Sequence, residues 1–66
     1  MALKDKLKTA VQDEKKGATD YTALAEEADT MYPDKGYGSI LRDIAREEET
    51  HKEHIEAILK DMEGEP

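Results

Sequence analysis

Apolar side chains recur along this chain at alternating intervals of three and four residues. One series runs Leu7, Val11, Glu14, Ala18, Tyr21, Ala25, Ala28, and a second runs Tyr37, Leu41, Ile44, Glu48, His51, Ile55, Ile58, Met62. That spacing keeps one face of a helix turned inward, so the pattern predicts an all-α fold built as a single two-helix antiparallel hairpin over residues 1–66. The first helix is expected over about residues 3–30, the turn at about 31–33 and the second helix over about 33–62. Leu3, Leu24, Ile40 and Leu59 read as further core, and Tyr32 and Tyr37 as packing near the turn. Gly17 is the one breaker inside the first helix, costing about 1 kcal/mol relative to Ala. Because it flanks the seam, it reads as a close approach of a neighbouring helix rather than a kink. Gly64 supplies a stop signal before a short polar tail.

The start of the second helix has two solutions. The stretch 29–39 carries Pro33, Gly36 and Gly38 and must contain the reversal; Pro33 suits a first helical position, and Ser39 suits an N-cap. A short turn centred near Tyr32 puts Glu14 and His51 level across an antiparallel hairpin. A start at Ser39 offsets them by several residues, each about 1.5 Å of rise. A site shared by the two helices therefore predicts a second helix beginning within a residue or two of Pro33.

Composition narrows the picture. A chain of 66 residues sits where one core seldom suffices without disulfides, a metal or a partner. Cysteine is absent, which leaves oligomerisation or a nitrogen and oxygen metal site as the staple. Charged residues make up 41% of the chain and the net charge is −7. This balance disfavours nucleic acid, whose binding rests on Lys and Arg neutralising phosphates, and favours cations. No apolar run approaches the ~18 residues that would suggest a membrane span, and no signal-peptide pattern opens the chain, so a soluble cytoplasmic location is expected.

Glu14, Glu48 and His51 occupy seam positions, where ionisable groups are expensive unless something neutralises them. Glu48 and His51 form a Glu-x-x-His pair, and residues three apart on a helix are neighbours able to grip one ion. Glu47, Glu49, Glu53, Glu26 and Glu27 point away from the seam and read as a solvated face, while His54 flanks it and reads as solvated or interfacial. One hairpin thus offers two carboxylates and one imidazole. Two copies in a twofold dimer offer four Glu and two His, the inventory of a di-iron carboxylate site in a four-helix bundle.

At Glu14-Lys15-Lys16-Gly17-Ala18-Thr19-Asp20-Tyr21 with Ala23-Leu24-Ala25, and at Ile44-Ala45-Arg46-Glu47-Glu48-Glu49-Thr50-His51 followed by His54-Ile55, the chain resembles the ferritin-like superfamily in its rubrerythrin branch. The resemblance covers nearly the whole chain. Members usually carry both halves of the site in one four-helix polypeptide; this half-domain is similar to two-helix encapsulated ferritins, which build the site across a subunit interface. The resemblance implies Glu14, Glu48 and His51 as iron ligands, with Glu48 favoured to bridge two ions per dimer, and Tyr21 as a tyrosine that hydrogen-bonds near the metal. It also implies a homodimer or higher oligomer, an encapsulating protein shell as an open option, and an external electron donor for any peroxide reduction, since a cysteine-ligated iron is excluded. Asp13 stands where an acidic entry site would be, but Lys16 one turn on weakens that role.

The expected function is oxidation of Fe(II) with oxygen or peroxide, in iron storage or oxidative defence. Two alternatives use the same residues. A non-enzymatic helical assembly module would use the polar seam positions to fix register, and a structural dimer would hold Zn or Mn in place of Fe.

Overall fold

Each threonine in the chain, Thr9, Thr19, Thr22, Thr30 and Thr50, donates its hydroxyl to the carbonyl four residues earlier. These β-branched residues are thereby accommodated inside long helices. In the computed structural model, which describes residues 2–64, α1 covers Leu3–Met31 and α2 covers Tyr37–Glu63. The two pack against each other as an antiparallel hairpin 54 Å long. The expected first helix holds to within a residue; the polar tail expected after Gly64 lies outside the described residues. No helix among the described residues is long and apolar enough to cross a membrane.

The turn corrects the expected start of the second helix. Lys35 N–H donates to the Tyr32 carbonyl at 3.2 Å, closing a tight turn with Pro33 at its second position, where the fixed φ of proline is already correct. Gly36 follows in the left-handed region at φ 72° and stands as the N-cap of α2, a conformation that glycine adopts without steric cost. Pro33 is therefore a turn residue, Ser39 lies inside the helix, and α2 begins at Tyr37, four residues later than expected. Tyr32 and Tyr37 meet edge to face at 5.7 Å across the reversal.

The interface between the helices is narrow and made of small residues. Val11, Ala18 and Ala25 of α1 and Gly38 and Ala45 of α2 are buried, flanked by partly buried Leu7, Glu14, Tyr21 and Ala28 on one side and Leu41, Glu48, Lys52, Ile55, Leu59 and Met62 on the other. Seam positions of α2 are thus corrected. Gly38, Ala45, Lys52 and Leu59 face α1, while Tyr37, His51 and Ile58 are exposed and Ile44 is only partly buried. Small side chains let the backbones approach, and Lys52 buries its stem while its ammonium reaches Glu56 at 3.3 Å.

Leu3, Leu24 and Ile40, expected in the core, are instead 62%, 47% and 60% exposed. Two helices share only one interface, so a second apolar stripe on each has nothing to cover it. On α1 that stripe is Leu3, Leu24 and Met31, with the partly buried Ala10 and Gly17 between them; on α2 it is Tyr37, His51 and Ile58, with the partly buried Ile44. At about 100° per residue, Glu14 and Glu48 fall between the buried and the uncovered stripe of their own helices. Because the helices run antiparallel, both uncovered stripes lie on the same side of the hairpin. Near the turn they merge into an apolar groove of about 460 Å³ lined by Leu24, Ala28, Met31, Tyr37, Ile40 and Leu41.

Register near the turn is set where Gly38 passes beside Asp29, whose carboxylate accepts from the Arg42 guanidinium at 2.6 Å. A methyl at position 38 would overlap the Asp29 carboxylate. Gly38→Ala should therefore cost no more than about 1 kcal/mol, that of displacing the exposed Asp29 carboxylate from Arg42, and the better helix propensity of alanine offsets part of it. Urea unfolding should also show that Asp29→Ala relieves most of that loss in the double variant.

Candidate metal centre

Two helices running in opposite directions keep the same pairs level as they recede from a shared contact. From the Asp29–Gly38 crossing, fifteen residues back along α1 reach Glu14 and thirteen forward along α2 reach His51. The later start of α2 does not spoil the level, because the non-helical turn over residues 32–36 takes up the difference. Glu14 Oε2 lies 3.6 Å from His51 Nδ1, beyond hydrogen-bond range. One ligand atom from each of Glu14, Glu48 and His51 lies within 4.8 Å of the others, the group the described residues offer for a metal ion.

Burial differs among the three. The Glu14 side chain is 24% exposed and that of His51 56%, so the imidazole lies toward the uncovered face and Glu14 toward the helix interface. Glu14 Oε2 is buried and accepts no hydrogen bond among the described residues, which makes it costly without a cationic or donor partner. Glu48 is partly buried. Its carboxyl is held above the ordinary value, first because a hydrogen bond shared with Glu14 favours the protonated form, then because solvation is lost and the Glu14 charge repels it. His51 acts in the opposite sense.

These observations fit a divalent cation. Bonds of about 2.0–2.2 Å set oxygen and nitrogen ligands no more than ~4.4 Å apart across one ion, so small side-chain rotations bring this trio into range. Imidazole and carboxylate together suit iron, zinc or manganese. A cation would also satisfy the buried Glu14 oxygen and remove the repulsion between the two carboxylates.

Tyr21 stands two turns beyond Glu14 on the same column of α1, partly buried, and its hydroxyl makes no hydrogen bond among the described residues. Asp13 and His54 are exposed and stand outside the trio. Lys16 pairs with Asp20 at 2.7 Å. The neighbouring group that comes close to Gly17 is the Glu48 side chain itself, a contact that helical periodicity does not reveal.

A family model described as Rubrerythrin matches residues 5–66. No curated protein and no solved structure matches the chain.

The raised Glu48 carboxyl has a pH signature with a definite sign. The folded state holds that proton more tightly than the unfolded state does. Stability therefore falls as pH rises from the ordinary carboxylate value through the raised folded value. Thermal melts of chelator-treated protein should show the wild type losing ground to Glu48→Gln over that interval, with Glu48→Gln the more stable of the two at neutral pH. Parallel pH profiles for the two proteins would count against the Glu14–Glu48 coupling.

Proposed function

Taking as premise that the chain belongs to the rubrerythrin family, we propose that it is a di-iron carboxylate protein whose metal site forms between two copies of the hairpin and which oxidises Fe(II). The observation that carries this reading is the convergence of Glu14, Glu48 and His51, with a buried oxygen lacking a partner. This trio stands beside the uncovered apolar face. One copy supplies three ligand side chains, half the set of a two-ion carboxylate site. A second copy laid on that face by a twofold axis through the trio supplies the other half, and four carboxylates balance two divalent ions.

The apolar face supports the same arrangement. Leu3, Leu24, Met31, Tyr37, Ile40 and Ile58 are exposed large hydrophobic residues, on a chain whose buried hydrophobic core is one valine and three alanines among the described residues. A twofold partner is the economical cover, since each copy offers the same stripe to the other. Glu14 lies near mid-length of α1, and Glu48 and His51 near mid-length of α2. An axis through the site therefore overlaps the two hairpins along their whole length.

In this reading Glu14, Glu48 and His51 hold the ions. Iron held there supplies one-electron oxidation, Fe(II) to Fe(III), with oxygen or peroxide as the acceptor. Glu48 must be ionised to act as a ligand, so protons compete with the metal for it and loading strengthens as pH rises. The apolar stripes of the two copies exclude bulk water around the site. Tyr21, on the column of Glu14, is the nearest phenol of α1 along the chain and is available to donate a hydrogen bond toward the ligands.

Anaerobic Fe(II) titration should saturate at one iron per chain, and sizing should give a dimer or a multiple of it. Glu48→Gln and His51→Ala should lose uptake while remaining helical, and wild-type protein loaded with Fe(II) should consume oxygen or peroxide. Binding of Zn or Mn with no oxidant consumed would assign the site a structural role instead. Absence of metal binding by a folded dimer would leave a helical assembly module.

A further inference from the structure

The 29 residues of α1 include a single glycine, Gly17. Alanine there would make the stronger helix, so helix formation alone does not account for it. A methyl built on Gly17 would stand 3.0 Å from Glu48 Oε2, 3.3 Å from Cδ and 3.6 Å from Cγ. The whole end of the Glu48 side chain lies across bare backbone. Gly17 is also three residues after Glu14, which makes the two neighbours on the helix surface. The Glu48 carboxylate thus occupies the space that a side chain at position 17 would fill, and from there it meets Glu14.

Resting on the two-ion reading above, we propose that Gly17 is a positioning residue for the metal centre: its missing side chain is the notch that admits the Glu48 carboxylate against α1, where it can share an ion with Glu14 and His51. The argument is steric. A carbon 3.0 Å from Oε2 and 3.3 Å from Cδ is tighter than ordinary contact, whereas Cγ at 3.6 Å is not, so the carboxyl end of Glu48 has to lift from α1 by a few tenths of an ångström. Helix packing tolerates such a lift, because that side chain is only partly buried. A ligand set tolerates it poorly, since displaced or unsupported ligands commonly cost ten- to hundredfold in metal affinity. Gly17 is thereby expected to trade helix stability for ligand placement.

Co(II) is a suitable probe, because its visible absorption reports ligand geometry as well as occupancy. Wild type, Gly17→Ala and Glu48→Gln would be titrated with Co(II), with melting of the chelator-treated proteins and sizing alongside. The proposal expects Gly17→Ala to melt at the same or a higher temperature and to elute with the wild type. Its Co(II) affinity should be ten- to a hundredfold weaker, with altered absorption bands. Wild-type affinity and bands in Gly17→Ala overturn the role of Gly17 while leaving the two-ion reading standing. Weaker binding accompanied by a lower melting temperature or a smaller elution size also overturns it, since Gly17 then serves packing or the interface between copies. A wild-type protein that takes up no Co(II), like Glu48→Gln, overturns the two-ion reading and the role of Gly17 together.

Discussion

Glu14 and Glu48 carry like charge and are pressed together by the packing of two helices, and most of what is distinctive in this small protein follows from that contact. A hydrogen bond shared with Glu14, lost solvation and the Glu14 charge together raise the affinity of Glu48 for a proton, a Glu14 oxygen is buried without a partner, and a cation placed between the two carboxylates is favoured. A structural role for such a pair is weak, because apolar residues of similar size would pack at lower cost. His51, with its imidazole 3.6 Å from Glu14, adds a nitrogen donor beside the carboxylate pair, completing a group that could hold a metal ion. Chemistry and packing are therefore opposed here, as at many sites that bind a metal.

The same packing explains why the hairpin looks unfinished. Its interface uses Gly38, Ala18, Ala25 and Ala45, which bring the backbones close but bury little apolar area. The larger side chains, Leu24, Met31, Ile40 and Ile58, are left on one side. Glu14 and Glu48 lie on the border between the two stripes of their helices, which places them both inside the hairpin and beside its uncovered face. In the proposed dimer that double exposure lets the trio be shared, and its midpoint location lets a second copy overlap the hairpin without overhanging ends.

Much of this was legible in the chain, and the exceptions have physical causes. Periodicity revealed both helices, and three ionisable residues in apolar seams marked the group that the fold brings together. The same seam misplaced the inner face of α2 by one column. Hydrophobicity selects Tyr37, Ile44 and Ile58, whereas close helix packing selects Gly38, Ala45 and the stem of Lys52, and nothing in the period distinguishes the two. Pro33 misled in a similar way, since its fixed φ suits the first turn of a helix and the second position of a tight turn equally well. Leu3, Leu24 and Ile40 continue the apolar period but lie outside the one interface that two helices share, and so they are exposed. Gly17 stands out in the sequence as a breaker, but the period does not show that the Glu48 side chain is what lies against it.

The turn has a consequence for how chain length can vary in this fold. Residues 32–36 reverse direction without belonging to either helix, so a residue gained or lost there changes a loop that already absorbs a mismatch between the two arms. Between Gly38 and Glu48 the chain is continuous helix, and one inserted residue would rotate everything beyond it by about 100°. Such an insertion would carry Glu48 and His51 off the column that meets Glu14 and the notch at Gly17. Insertions and deletions should therefore be tolerated at one end of α2 and lethal to the site a few residues later, with the boundary falling at Gly38.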